Sequence, residues 1–146
     1  MPEVQVSANT PFAVEVLVFE EDTYRVLSAG NHIREIREPL NVLQVEAGEQ
    51  DSHAAGDLVV RGSRWFAILH DFDKPESYCP ESVQQVLEHL CAEVGRAGIR
   101  SIGIQALGSF HGPERLETAI QWISDCPWPD CLERIWIVIR PGQTRG

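Results

Sequence analysis

Residues 101–113 read SIGIQALGSFHGP and pass from an apolar segment through a glycine-bounded loop to a proline. The apolar segment is typical of a buried strand, Gly108 and Gly112 bound the loop, and Pro113 suits the first position of a helix. A helix leaves its first amides without intrahelical acceptors, and its dipole is positive at that end. The stretch therefore predicts a cradle of backbone amides that can bind an anion.

The rest of the C-terminal half alternates strands with helices. Residues 65–69 are continuously apolar, which predicts a strand buried on both faces of a sheet. Residues 80–97 carry an apolar stripe at helical spacing, and Gly98 follows as a helix stop. Further predicted elements are strands at 57–60, 99–107 and 135–139 and a helix that begins at Pro113 and ends before Pro127. This order predicts a parallel α/β layer with right-handed crossovers.

The N-terminal half is rich in strands and has almost no predicted helix. Its segments are a frayed polar terminus at 1–10, a strand at 13–19, a solvated turn at 20–22, a returning strand at 24–27, a strand at 40–45 and a mobile surface loop at 46–56. The chain as a whole predicts one α/β domain, residues 1–146, with a mixed, largely parallel central sheet flanked by helices.

The chain is acidic. Its 146 residues include 22 aspartates and glutamates against 12 lysines and arginines, a formal net charge of −10 at pH 7. Such a charge repels phosphate backbones, so we expect no binding to nucleic acids. A single small anion is still compatible with this charge, because the amides at a helix N-terminus need no cationic side chain to hold it.

The cellular context follows from what the sequence lacks. No apolar segment is long enough to span a membrane, and the N-terminus lacks the features of a signal peptide, so we expect a cytoplasmic protein without membrane contact. The four cysteines are then expected to stay reduced: Cys79, Cys91, Cys126 and Cys131. Cys126 and Cys131 flank a short Pro-Trp-Pro-Asp loop, which leaves a disulfide between them as the alternative. No metal ion or cofactor is expected.

Parts of the C-terminal half resemble macro domains. Residues 62–71, GSRWFAILHD, are similar to the macro-domain strand that ends at a histidine. The predicted helix and the following GIRSIGIQALG, residues 98–108, resemble the helix and strand that deliver the second ligand loop of that family. Residues 108–112 look like a shortened version of that glycine-rich loop. The resemblance covers residues 57–140.

The resemblance implies an α/β/α module. Many macro domains bind ADP-ribose or its derivatives, and some hydrolyse ADP-ribose attached to proteins. Carried over to this sequence, the likeness places four loop residues against a diphosphate or its distal ribose: Gly108, Ser109, Phe110 and Gly112. His111, which lies in the same loop, completes the predicted ligand-binding residues. Residues 40–56 occupy the place of the family's first ligand loop but lack its run of glycines.

Several polar residues follow predicted strands and are candidates for chemistry. His70, Asp71 and Asp73 come where a buried strand ends, and His111 comes just after another. If these strands are parallel neighbours, the side chains meet at the carboxyl edge of the sheet. Two imidazoles and two carboxylates there predict an acid–base pair or a metal site, and thus a hydrolase. In the alternative interpretation Asp71 and Asp73 are turn and cap residues, and His70 hydrogen-bonds to the backbone.

The sequence therefore leaves three functions open. The leading prediction is a non-catalytic module that binds an ADP-ribose-like or nucleotide-like anion at the loop 108–112. The second is a protein-interaction domain without a working ligand pocket, which the absent first ligand loop and the acidic surface favour. Its contact residue is Trp128, which lies between two prolines and is predicted to be at the surface. The third is the hydrolase described above.

Overall fold

The computed structural model describes residues 2–9, 11, 13–23 and 54–140. The described elements are β1 (Glu3–Ser7), β2 (Val16–Asp22), β3 (Leu58–Arg61), β4 (Arg64–His70), α1 (Glu81–Ala97), β5 (Ser101–Gln105), α2 (Leu116–Ser124) and β6 (Arg134–Val138). The six strands form one sheet in the order β1-β6-β5-β2-β4-β3. Every neighbouring pair is parallel except β3 and β4. The predicted α/β class with a mixed, largely parallel sheet is confirmed.

Strand β4 is buried on both faces, as its apolar sequence predicts. Trp65, Ala67 and Leu69 pack into the main core, and Phe66 and Ile68 pack into a second cluster. These five consecutive side chains alternate between the two clusters because successive residues of a strand point to opposite faces of the sheet. Strand β4 therefore lies inside the molecule, which places the end of the strand, His70, in a buried position as well.

The first helix also follows the sequence pattern. The apolar stripe of α1 packs into the main core, and its members are at most 2% exposed: Val83, Val86, Leu87, Leu90 and Val94. Gly98 adopts a left-handed conformation with φ of +65° and donates its amide to the carbonyl of Gly95. This left-handed conformation ends the helix at the predicted residue. Glycine adopts it without the strain that a side chain would cause.

The predicted frayed N-terminus is wrong. Residues Glu3–Ser7 form β1, which pairs in parallel with β6. The Glu3 amide donates to the carbonyl of Glu133, and the Ile139 amide donates to the carbonyl of Ser7, each at 2.9 Å. The segment is short and half polar, so its order comes from backbone hydrogen bonds to β6 rather than from burial of its side chains.

The predicted solvated turn at residues 20–22 is also wrong. Glu20, Glu21 and Asp22 continue β2, and all three are fully buried. Pairing with β4 carries them into the interior, with a register shift between Glu21 and Asp22. The strands predicted at 24–27 and 40–45 and the loop predicted at 46–56 lie outside the described residues, apart from 54–56.

The second helix begins later than predicted. Its first residue is Leu116, and Arg115 precedes it in an extended conformation. Residues up to Glu114 close the loop instead, because the Glu114 amide donates to the carbonyl of Gly108 at 3.0 Å. Pro113 therefore belongs to the loop, and the free amides of the helix start are farther along the chain than the sequence predicts.

The four cysteines are free thiols, and Cys126 and Cys131 are not bonded to each other. Trp128, which lies between them, is half-buried rather than fully at the surface. Its indole N–H donates to the carbonyl of Ile123 at 2.8 Å, and its ring packs against the main core. The tryptophan thus contacts the end of α2, and its predicted contact with a partner protein stays a prediction.

Candidate functional site

Three adjacent strands end together at the carboxyl edge of the sheet. Strand β2 lies between β5 and β4 and is parallel to both. His70 at the end of β4 and the loop 108–112 after β5 therefore reach the same edge, as predicted. Their strands are not direct neighbours, however, and the residue that joins them comes from β2 between them.

Glu20 is that residue. Its side chain is fully buried, and one carboxylate oxygen, Oε2, lies 2.5 Å from His70 Nε2. The other oxygen, Oε1, accepts the Gly108 amide at 2.8 Å. The Glu20 amide in turn donates to Gln105 Oε1 at 2.7 Å. A buried carboxylate is stable only when its oxygens have hydrogen-bond partners. Here the partners come from β4 and from the loop after β5, so Glu20 connects these two elements.

Among the described residues, the His70 imidazole hydrogen-bonds to this carboxylate and to no backbone group, in contrast to the alternative interpretation. When Glu20 is ionised, the imidazole donates through Nε2–H, and the hydrogen bond is charge-assisted. The His70 carbonyl separately accepts the Thr23 amide at 2.9 Å. The imidazole is 2% exposed, so the pair is shielded from bulk water.

The loop 108–112 satisfies much of its own hydrogen bonding. The amides of Ser109 and Phe110 both donate to the carbonyl of Ala106 at 2.9 Å. The buried Ser109 hydroxyl donates to the same carbonyl at 3.1 Å. Among the described residues, the amides of His111 and Gly112 have no recorded acceptor. The predicted cradle is thus narrower than expected, because Glu20 and Ala106 already accept the first three amides of the loop.

Two glycines of this loop are required by close contacts. Gly108 has φ of +89°, and a Cβ on it would lie 2.7 Å from the Tyr78 hydroxyl oxygen. A Cβ on Gly112 would lie 2.5 Å from the carbonyl oxygen of Gly108. The glycines therefore allow the loop to fold back on itself and to pack under Tyr78.

Tyr78 closes one side of the site. Its hydroxyl donates to Glu114 Oε2 at 2.8 Å, and its ring centroid lies 5.5 Å from that of His70. Burial raises the pKa of Tyr78 well above its usual value, and the hydrogen bond to Glu114 and the charges of Glu114 and Glu20 raise it further. The phenol therefore stays neutral and acts as a hydrogen-bond donor.

His111 is within electrostatic range of the buried Glu20–His70 pair. Its ring meets that of Phe110 edge-on, with centroids 4.8 Å apart. Although His111 is an exposed residue, loss of water around part of the imidazole lowers its pKa below 6.5, and the charge of Glu20 opposes this shift in part. His111 is thus mainly neutral at pH 7, a state in which it can accept or donate a proton.

The structure places Asp71 and Asp73 in a turn. Asp71 Oδ1 accepts the Asp73 amide at 3.0 Å, and the Asp71 carbonyl accepts the Lys74 amide at 3.1 Å. This is the turn role that the sequence left as an alternative. The carboxylate beside His70 is Glu20 instead. Within the described part of the chain, no group of three or more His, Cys, Asp or Glu side chains could hold a metal ion.

Sequence reasoning missed Glu20, Tyr78 and Glu114. A signal for Glu20 was present, since residues 20–22 directly follow an apolar strand, as His70 does. A polar run after a buried parallel strand marks the carboxyl edge of a sheet as readily as it marks a turn. Tyr78 and Glu114 gave no comparable signal, because their contact depends on how two loops fold over Gly108.

The sequence matches no protein-family model and no curated protein. Solved structures match along almost the whole chain. The macrodomain of Thermus aquaticus DarG superposes with a TM-score of 0.66 and 17% identity, covering 94% of this chain and 99% of that one. The macro domain of ganglioside induced differentiation associated protein 2 gives a TM-score of 0.69 and 10% identity, covering 97% and 78%. This chain has the macro-domain fold.

A third structure with the macro-domain fold is a complex with a ligand. It is the Trypanosoma brucei macrodomain in complex with ADP-ribose, with a TM-score of 0.62 and 12% identity over 95% of this chain and 63% of that one. The predicted resemblance to macro domains is confirmed for the fold.

Among the described residues, no helix is long and apolar enough to cross a membrane.

Proposed function

We propose that this chain is a binding module for a small nucleotide-like anion, with ADP-ribose as the reference compound. The ligand binds at the carboxyl edge of the sheet, beside the loop 108–112. The macro-domain fold supports this proposal, and so does the T. brucei macrodomain of the same fold, which is described in complex with ADP-ribose. Ligands of open α/β sheets bind outside the carboxyl ends of the strands, where Glu20, His70 and the loop meet.

One observation carries the proposal. Glu20 accepts the Gly108 amide and the Gly108 carbonyl accepts the Glu114 amide, so the loop is anchored at both of its ends. Between these anchors, His111 and Gly112 supply two consecutive amides without an acceptor among the described residues. Consecutive amides in a tight loop form a small concave site for an anionic oxygen.

The charges around the loop restrict where the anion binds. The Glu20 carboxylate already occupies the Gly108 amide, so a phosphate there would meet a like charge. Glu114 lies on the Tyr78 side of the loop. Arg140 carries a positive charge that acts on His111. These charges support binding of the anion at the amides of His111 and Gly112.

Isothermal titration with ADP-ribose tests the proposal. We expect micromolar binding to the wild-type chain and at least about tenfold weaker binding to Gly112→Ala, because a Cβ there collides with the Gly108 carbonyl and displaces the amides. Gly62→Ala is the matched control, since a Cβ on Gly62 has no neighbour within 4 Å. It should bind like the wild type. If millimolar ADP-ribose gives no heat of binding to the wild-type chain, the proposal is wrong.

A hydrolase is the second candidate, and the buried Glu20–His70 pair is the observation that favours it. Together with the neutral His111, it provides the groups of an acid–base mechanism. Release of ADP-ribose from an ADP-ribosylated protein measures this activity. Turnover should fall about a hundredfold in His111→Gln and stay unchanged in His89→Gln, which alters an exposed histidine of α1. Equal turnover in both variants, or no turnover in the wild type, excludes this candidate.

A further inference from the structure

The two ends of the loop 108–112 meet at a narrow neck. The Gly108 carbonyl oxygen lies 2.5 Å from the position that a Cβ on Gly112 would take, and the same oxygen accepts the Glu114 amide at 3.0 Å. The chain therefore leaves β5 and returns to nearly the same point. Because His111 and Gly112 adjoin the neck, the direction of their amides depends on how the neck is closed.

Tyr78 lies across this neck. Its hydroxyl oxygen is 2.7 Å from the position of a Cβ on Gly108, and its ring carbon Cδ1 is 3.2 Å from the position of a Cβ on Gly112. Both ends of the loop thus pack against one side chain. The absence of a Cβ at these two glycines is what allows the approach.

Backbone pairing fixes Tyr78 relative to β4. Tyr78 forms an antiparallel bridge with His70, and the next amide, that of Cys79, donates to the carbonyl of Leu69 at 2.9 Å. The turn after β4 therefore returns the chain to the carboxyl edge of the sheet. Main-chain contacts thus place the Tyr78 ring at the loop, so the ring is a fixed support and not a side chain on a mobile segment.

The Tyr78 hydroxyl connects this support to the residue that closes the neck. It donates to Glu114 Oε2 at 2.8 Å. Burial raises the pKa of Tyr78 well above its usual value, so the hydroxyl keeps its proton and remains a donor. Since the Glu114 amide bonds to Gly108, one residue joins the loop through its backbone and the turn after β4 through its side chain.

We propose that the hydrogen bond between Tyr78 and Glu114 is a latch, which holds the loop 108–112 in the conformation that binds the anion. Both are positioning residues, because they act on the ligand through the loop. The inference rests on the proposed function and adds the residues that control the affinity of that site. A loop held in its binding conformation loses less conformational entropy when the ligand binds, so its affinity is higher.

The charge of Glu114 separates the latch from a purely electrostatic role. A carboxylate beside an anion site disfavours the ligand by like-charge repulsion, whereas the acceptor of the Tyr78 hydroxyl favours it. Glutamine keeps an acceptor oxygen and removes the charge, and alanine removes both. Glu114→Gln should therefore bind ADP-ribose at least as tightly as the wild type, and Glu114→Ala about fivefold or more weakly. Repulsion alone would make both variants bind more tightly.

Isothermal titration with ADP-ribose, at a temperature where every variant is folded, measures these affinities. Tyr78→Phe keeps the ring, loses the hydroxyl and should also bind about fivefold or more weakly. The double variant with Glu114→Ala should lose no more than either single variant, since both substitutions break the same hydrogen bond. Glu117→Ala, which removes an exposed carboxylate of α2, is the matched control and should bind within about twofold of the wild type.

Two results of the titrations would overturn the proposal. One is binding by Tyr78→Phe or Glu114→Ala that is as tight as that of the wild type. The other is a double variant whose loss is the sum of the two single losses, because the two side chains would then act independently.

Amide hydrogen exchange of the unliganded chain tests the latch without the ligand. The Glu114 amide closes the neck, so its exchange requires the neck to open. In Tyr78→Phe it should exchange about fivefold or more faster than in the wild type, while the amide of Ile104, buried in β5, keeps its rate. Unchanged exchange at Glu114, or equal acceleration at Ile104 through global unfolding, overturns the latch.

The two measurements separate failure of the latch from failure of the proposed function. If the wild-type chain binds no ADP-ribose but the Glu114 amide exchanges faster in Tyr78→Phe, the proposed ligand is wrong and the latch on the loop stands. If the wild-type chain binds ADP-ribose and Tyr78→Phe changes neither the affinity nor the exchange, the latch is wrong and the proposed function stands.

Discussion

At the scale of single residues, Glu20 connects the fold to the candidate site. One of its oxygens contacts His70 and the other accepts the Gly108 amide. Two strand ends and the start of the loop therefore depend on one buried carboxylate. An acidic residue in this position is stable only in the presence of these partners, and each partner is in turn positioned by it.

Glu20→Gln tests this dependence. We expect a loss of about 1–3 kcal/mol in the free energy of unfolding, because the charge-assisted bonds to His70 and Gly108 are weakened while the site stays buried. Urea denaturation measures the change. Glu88→Gln on the exposed side of α1 serves as the control and should stay within about 0.5 kcal/mol of the wild type. Equal stability of the two variants would show that Glu20 has no such role.

His111 gives a prediction on pH. Its pKa in the folded protein lies below 6.5, because loss of water disfavours the imidazolium. The unfolded chain then binds this proton more tightly than the folded chain, so the contribution of His111 to stability is present above about pH 6.5 and is lost as the pH falls. NMR titration of the imidazole protons measures the pKa, and His111→Gln identifies the resonance. A midpoint at or above 6.5 contradicts the prediction.

At the scale of elements, the loop between β5 and α2 is determined by contacts on both sides of its backbone. Gly108 is close to Tyr78 and Glu114, whereas Gly62, in the turn between β3 and β4, has no neighbour within 4 Å of its Cβ position. Both glycines have a positive φ, +89° and +57°. Their packing differs, which makes them a useful pair for comparing substitutions at two positions of positive φ.

Gly108→Ala should therefore destabilise the protein more than Gly62→Ala. The left-handed conformation alone costs about 1–2 kcal/mol for alanine, which is the effect expected at Gly62. At Gly108 the collision with the Tyr78 hydroxyl adds at least about 1 kcal/mol. Thermal or urea unfolding of the two variants gives the comparison. Equal losses in the free energy of unfolding would mean that Tyr78 moves away from the new Cβ at no energetic cost.

Elements with a strong apolar pattern were predictable from the sequence, and those held by backbone pairing were not. The stripe of α1 and the continuous apolar run of β4 correspond to buried faces of the fold. Strand β1 has few apolar residues and depends on β6, which is distant in sequence. The start of α2 at Leu116 depends on the bond between Glu114 and Gly108, which local propensity does not encode.

At the scale of the whole molecule, the net charge of −10 acts on any anionic ligand. Since the proposed site uses amides and little positive charge, long-range repulsion opposes association, and salt screens that repulsion. Raising NaCl from about 20 mM to about 200 mM should strengthen ADP-ribose binding about twofold or more. Titrations at the two salt concentrations show whether the affinity for ADP-ribose rises or falls with NaCl. Weaker binding at high salt would instead indicate a site built on cationic side chains.

The meeting of His70 and the loop 108–112 at one edge of the sheet was predictable from the sequence, while the carboxylate partner of His70 was not. Parallel strands place their carboxyl ends at one edge, so His70 and the loop 108–112 were expected to meet there. Which carboxylate pairs with His70 depends on β2, whose last three residues are polar and read locally as a turn. Strand order in a sheet is a long-range property, and Glu20 becomes recognisable only once β2 is seen between β4 and β5.

The parallel pairing of β1 with β6 has a practical consequence for handling this protein. Truncation of the first seven residues, on the assumption that they form a flexible terminus, would remove the strand that pairs with β6. The backbone amides and carbonyls of β6 on that side, beside Ile135 and Ile137, would then be unpaired. Removal of β1 makes β6 the edge strand, and its unpaired backbone groups can pair with another molecule, so the trimmed protein should self-associate more than the untrimmed one. Affinity tags are better attached through a spacer that leaves Glu3–Ser7 intact.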